Sequence, residues 1–279
     1  MDTHVYLAII FAAVLHAGWN AVLKANSDRA TNVLILSVVQ GSVALPLLAF
    51  LPQPSVNSWP LILAASFLHC GYKIFLMKAY DYADLNQVYP LARGLAPVIV
   101  TIVSILFLSA QFGVSTIASI AMISIGIIVL GITKAHNKKM SPLAWFFTCG
   151  TAAFIASYTV VDGIGVRLSE APSAYVIYLF LGDAIATTVY FGVTRSADFL
   201  VHAVSSWRSG FFSGILSLGA YWIAVWAFTK APIAVVASLR ETSILFAVLI
   251  GTIFLKEPMT SLRWASIGLI AIGAIAIKI

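Results

Sequence analysis

Arg93 stands in VYPLARGLAP, residues 88–97, directly ahead of the apolar run VIVTIVSILFL. A guanidinium is a planar, permanently charged fork suited to carboxylates and phosphates. On a helix, Tyr89, Arg93 and Pro97 share one face, with Pro90 and Gly94 between them. Pro97 lies inside the run and must free a carbonyl or kink the helix. A second apolar run holds Arg240 and Glu241 side by side, pointing about 100° apart on a helix. Glu241 is a candidate acid for an amine or a proton. Structural pairing of Arg93 with Glu241 or Asp162 is the alternative.

Other polar groups recur at the same spacing. His16, Asn20 and Lys24 form one stripe, with Trp19 beside it. Such a ladder can bind a carboxylate or phosphonate, or relay a proton. Alternatively Lys24 snorkels to an interface and Asn20 bonds a neighbouring helix. His69 and Lys73 are four apart with Tyr72 adjacent, and so deep a lysine needs a partner or a cavity. Tyr158 and Asp162 repeat the spacing. Asp162 is near the end of its run and is expected to sit in water. Asp183 is mid-run. Tyr221, Trp222 and Trp226 can wall a cavity, although rings at helical spacing also serve as packing or an interfacial belt. The substrate-binding candidates are thus His16, Trp19, Asn20, Tyr72, Lys73 and Tyr89, together with Arg93, Tyr158, Asp183, Trp222, Arg240 and Glu241. Glu241, Asp183, His16 and His69 are the proton-coupling candidates. A pocket with Lys73, Arg93 and Arg240 facing Asp183 and Glu241 suits a zwitterion. Wholly mutual pairing of these charges argues against it.

The elements that position these residues follow from composition. The chain has 279 residues, 61% hydrophobic and 9% charged, with mean hydropathy +1.00. A soluble domain carries roughly 25% charged residues. Apolar runs of about 20 residues recur from end to end, which predicts an all-α integral membrane protein. The expected spans are 4–24, 31–52, 59–79, 85–108, 114–133, 142–164, 172–193, 207–228, 231–255 and 259–278. The first is read as a retained helix, not a cleaved signal. The longest polar breaks are 134–141 and 194–206. Cys70 and Cys149 lie in apolar runs, so neither disulfide nor zinc is expected. No metal or cofactor is expected, and the net charge of +6 is a topology signal rather than a nucleic-acid signal.

The halves look related. With Arg93 set on Arg240, ASIAMISIGII (118–128) lies over ASIGLIAIGAI (265–275), identical at seven of eleven positions. Five helices per half make the second copy enter from the opposite side, an inverted repeat around a central cavity. The expected units are 1–135 and 140–279. Lys and Arg concentrate in the odd-numbered loops, including KAHNKK at 134–139, which puts those loops in the cytoplasm and both termini outside.

The chain resembles the drug/metabolite transporter superfamily, EamA type. LHAGWNAVLK, YPLARGLAPV and SLRETSILFAVLIGTIFLKEP carry the resemblance, with a glycine-punctuated last helix. The LKEP turn at 255–258 is the most characteristic, and the first half departs from it with LSAQ at 108–111. The resemblance implies a carrier of small metabolites, often an exporter of amino acids or related compounds. The expected partners are a small-molecule substrate and the bilayer, with protons as the candidate coupling ion. A single chain is expected to suffice, in a bacterial cytoplasmic membrane. One alternative is a flippase for a lipid-linked headgroup. Another is a prenyl- or lipid-modifying enzyme using Asp81 and Asp84 of DYAD to hold Mg²⁺. Those two residues more simply cap span 4.

Overall fold

The computed structural model describes residues 1–24, 29–133, 140–205, 207–254 and 259–278. Lys256 and Glu257 of the LKEP turn and the basic loop 134–139 lie outside the described residues, as does the side chain of Lys24. The described residues are all-α, with two short 3₁₀ turns. The helices are α1 (Thr3–Lys24), α2 (Arg29–Leu47), α3 (Trp59–Tyr82), α4 (Leu85–Phe107), α5 (Val114–Thr133), α6 (Pro142–Ser169), α7 (Pro172–Thr194), α8 (Ala197–Ser205), α9 (Trp207–Phe228), α10 (Ile233–Arg240), α11 (Ser243–Phe254) and α12 (Ser261–Ala276). Among the described residues, nine helical stretches are long and apolar enough to cross a bilayer, counting Ile233–Ile253 as one. α12 is apolar but shorter. Leu7, Phe11, Leu106, Phe107 and Val193 point outward, as lipid-facing side chains do.

Three elements depart from expectation. α6 continues to Ser169, well past residue 164, and ends on Glu170 in the left-handed region (φ 55°). Residues 197–205, read as part of a polar break, form α8. Phe199 stacks on Phe191 of α7 at 5.5 Å and Ala203 is buried, so an apolar face holds this short helix. The ninth span is broken: α10 stops at Arg240 and α11 starts at Ser243. Glu241 N–H bonds the carbonyl of Ser238 and Thr242 N–H that of Leu239, replacing i−4 bonds with i−3 bonds. Thr242 also turns its hydroxyl onto the Leu239 carbonyl at 2.6 Å. No proline or glycine occupies the break, so apolar periodicity gave no sign of it.

α4 holds together despite Pro97. That residue cannot donate to the Arg93 carbonyl, and Thr101 Oγ1 bonds the Pro97 carbonyl at 2.7 Å. Gly94 lets α4 lie against α5: a Cβ there would sit 2.6 Å from Ile128 Cγ1 and 3.1 Å from the Ser124 carbonyl. Glu241 is the residue equivalent to Gly94 when Arg93 is set on Arg240. α11 touches α12 only sparsely, whereas α4 and α5 pack along their lengths.

The helices pair across the midpoint of the chain. α3 packs on α6 as α1 packs on α9, and α3 meets α7 as α9 meets α2. α5 and α12 pack on each other through two glycines. A Cβ on Gly126 would lie 2.9 Å from the Ser266 carbonyl and 2.6 Å from Ile270 Cγ1. One on Gly273 would lie 2.8 Å from the Ser119 carbonyl and 2.9 Å from Ile123 Cγ1. Gly126→Ala and Gly273→Ala are each expected to cost about 1–3 kcal/mol, because a backbone carbonyl cannot rotate aside. Thermal unfolding in detergent checks this; a large loss from only one of them would mean the two contacts are not equivalent.

Candidate functional site

Three acids are buried among the described residues, and all are in the second half: Asp162 on α6, Asp183 on α7 and Glu241 at the α10–α11 break. Each meets a nitrogen base from the first half. His69 and Lys73 come from consecutive turns of α3, and Arg93 comes from α4.

Arg93 and Glu241 form an enclosed ion pair. Arg93 Nε lies 2.5 Å from Glu241 Oε2, with the side chains 2% and 5% exposed. Arg93 Nη2 donates to Ser243 Oγ at 3.3 Å, in the first turn of α11. The guanidinium also sits 5.6 Å from the Tyr89 ring, its neighbour one turn back on α4. Tyr89 OH lies 3.3 Å from His16 Nε2 on α1. His16 packs edge-on against Trp19, and Asn20 Nδ2 donates to the His16 carbonyl at 2.8 Å. The expected ligand stripe of α1 therefore spends one Asn20 donor on its own helix. The broken span brings both half-helix ends to this point.

Lys73 does not reach that cluster. Its Nζ pairs with Asp183 Oδ2 and donates to Ser37 Oγ of α2 at 2.6 Å. Thr187 Oγ1 donates to Asp183 Oδ1 at 3.4 Å. The pair fastens α3 to α7, and the four side chains are buried.

Asp162 is fully buried, contrary to the expectation that it sits in water. The longer α6 carries it inside. Tyr175 OH donates to its Oδ1 at 3.0 Å, Tyr221 OH donates to Oδ2, and His69 Nε2 lies 3.0 Å from Oδ2. His69 stacks on Tyr158 at 4.0 Å, and Tyr72 meets the same ring edge-on at 5.8 Å. The face of Tyr221 carries Arg240, 4.8 Å from guanidinium carbon to centroid. Arg240 has no ion-pair partner among the described residues. Trp222 turns its indole N–H to Ser173 Oγ of α7 at 3.1 Å, and Trp226 lies beside His4.

The five charges expected to share one cavity are not wholly paired with one another: Arg240 stands outside the ion pairs among the described residues. Arg93 is buried against Glu241, and Lys73 and Asp183 are paired with each other. A shallow apolar groove of about 330 Å³ lies elsewhere, between α2 and α7, lined by Val38, Gly41, Leu45, Ala184 and Ile185 among others.

Sequence reasoning missed Tyr175, Ser37 and Ser243. Tyr175 is thirteen residues beyond Asp162 but returns to it across the tight α6–α7 turn. The i, i+4 pair Tyr158–Asp162 was the available signal. Asp81 is exposed in the last turn of α3 rather than capping α4, and Asp84 is exposed at the N-cap position of α4 without a side-chain capping bond.

Residues 142–279 match the EamA-like transporter family. The chain belongs to that family. It is therefore a multi-pass secondary transporter of the drug/metabolite transporter superfamily, not an enzyme, and the lipid-modifying alternative falls. This EamA-like transporter is similar in fold to a protein of known crystal structure. The TM-score is 0.76 at 16% identity, over 98% of this chain and 95% of that one. At that identity the likeness bears on fold alone. Comparison with curated proteins gives no match.

Proposed function

We propose that this transporter carries a small polar zwitterion, such as an amino acid or related metabolite, and exports it across a bacterial cytoplasmic membrane. It does so by alternating access between two inverted five-helix halves, 1–135 and 140–279. The observation that carries the reading is the Arg93–Glu241 pair, which joins the halves at the broken ninth span. A substrate carboxylate takes the place of Glu241 on Arg93, with Arg240 beside it. A substrate ammonium takes the place of Arg93 on Glu241. The pair closes the empty site, and the ligand re-satisfies both members when the halves separate. Tyr89, His16, Asn20, Tyr72 and Tyr158 form the surrounding wall. Lys73–Asp183 is assigned to fastening α3 on α7.

The helix pairings support the two-half organisation. Gly126 meets Ser266 and Ile270, the counterparts of Ser119 and Ile123 that Gly273 meets, so the two contacts have the same offsets. Such offsets belong to an antiparallel pair related by a two-fold axis.

A ligand that binds only the folded state raises its apparent stability by mass action. Purified protein is therefore screened by thermal shift against amino acids, aminophosphonates, nucleosides and amphipathic cations. The expected result is a zwitterionic hit that disappears in both Arg93→Ala and Glu241→Gln. A cationic hit surviving both substitutions would place the site on the aromatics and reject this reading.

A further inference from the structure

The three cross-half pairs are not equivalent. Arg93 and Lys73 present a guanidinium and an ammonium to their carboxylates. The third base is an imidazole, the one side chain whose ordinary titration falls between pH 5 and 8. Asp162 is fully buried, and its other two bonds come from tyrosine hydroxyls, which bring no charge. A buried carboxylate without a counter-charge is costly. The His69–Asp162 pair is therefore compensated only while it holds a proton.

We propose that His69 and Asp162 together form a proton-binding site that couples proton movement to the rearrangement of the two halves. One proton is shared between His69 Nε2 and Asp162 Oδ2, across the α3–α6 interface. With the proton in place the interface is neutral and closed. Its loss leaves a negative charge that must find a cation or water.

The surroundings show where that charge is felt. On α3, Tyr72 and Lys73 flank His69, and Lys73 is held by Asp183 of α7 and Ser37 of α2. From α6, Tyr158 covers the imidazole face. From α7, Tyr175 bonds the carboxylate. From α4, Tyr89 and Arg93 face the same interior, and Arg93 is held by Glu241. From α9, Tyr221 bonds the carboxylate and carries Arg240 of α10 on its ring. Arg240 is the cation among these without a carboxylate partner. It is joined to Asp162 through Tyr221 and adjoins Glu241 in sequence. Loss of the proton draws Arg240 towards Asp162 and so away from the substrate pair. This gives the proton site a physical connection to the Arg93–Glu241 site.

The inference rests on the reading of the chain as a carrier with its substrate at Arg93–Glu241, but its test needs no substrate. Proteoliposomes are adsorbed on a solid-supported membrane and the bath is stepped from about pH 8 to about pH 6. The wild type is expected to give a transient charge displacement. His69→Gln and Asp162→Asn are each expected to reduce it about tenfold or more, whereas His4→Gln, which replaces an exposed histidine outside the pair, retains it. A transient lost in Glu241→Gln and kept in His69→Gln would overturn the proposal while leaving the carrier reading intact. Failure of every zwitterion to bind, with a transient that still depends on His69, would reject the substrate reading alone.

Because these two substitutions strike a packed network, a second measurement leaves the pair unaltered. His4, His16, His136 and His202 are replaced by Gln, leaving His69 as the one histidine. Nitrogen-15 spectra of the labelled ring are expected to change over the same step, from about pH 8 to about pH 6. A flat Nε2 shift across that range would overturn the proposal whatever the fate of the variants.

Discussion

Glu241→Ala is expected to destabilise the folded protein by about 3–5 kcal/mol, because it leaves a buried guanidinium without its anion. Arg93 is 2% exposed, and its remaining polar contact is one 3.3 Å bond to Ser243. Water cannot take over the lost contact without opening the α4–α10 packing. The double replacement Arg93→Met with Glu241→Leu removes both charges and fills similar volume. It is expected to recover stability to within about 1–2 kcal/mol of the wild type, as buried pairs replaced whole often do. The same double variant is expected to bind no zwitterion. Unfolding of each variant in detergent, read by tryptophan fluorescence, checks the first claim, and thermal shift with the identified ligand checks the second. Equal stability of Glu241→Ala and wild type would mean that the pair is open to water, and the account of a dry, closed site would fail.

Asp162→Ala carries the second large effect. It removes the acceptor of two buried tyrosine hydroxyls and the partner of His69. A stranded buried donor costs about 1–3 kcal/mol, so the three together are expected to cost about 4 kcal/mol or more. Asp162→Asn keeps a carbonyl oxygen and the side-chain volume, and is expected to cost about 1–2 kcal/mol. Tyr175→Phe removes one donor along with its need for an acceptor and is expected to cost about 1 kcal/mol. The order Ala, then Asn, then Phe in falling severity is the testable point. Asn matching Ala would show that charge, rather than hydrogen bonding, holds this network together.

The spans were legible because lipid imposes a simple rule: about 20 apolar residues, repeated. α5 covers residues 114–133 as the hydropathy predicts. The break at Glu241–Thr242 was not legible, because it arises from a hydroxyl turned onto its own helix and from Glu241 reaching Arg93 rather than from any breaker residue. Spacing brought His69 and Lys73 to one face of α3, but it could not say which acid each would meet. That depended on the placement of α6 and α7 against α3. The depth of Asp162 was misjudged by the distance that α6 runs beyond residue 164.

The division of buried charge between the halves has a consequence for ancestry and assembly. His69, Lys73 and Arg93 lie on one side of the midpoint, and Asp162, Asp183 and Glu241 on the other. Two copies of the first half laid against each other would bring bases together with no buried acid between them. Two copies of the second would gather the carboxylates. A gene for either half alone could therefore not rebuild the same buried pairs as a homodimer, although the matching contacts of Gly126 and Gly273 still have the form of one. Cut between Thr133 and Met140, the two pieces are expected to choose each other.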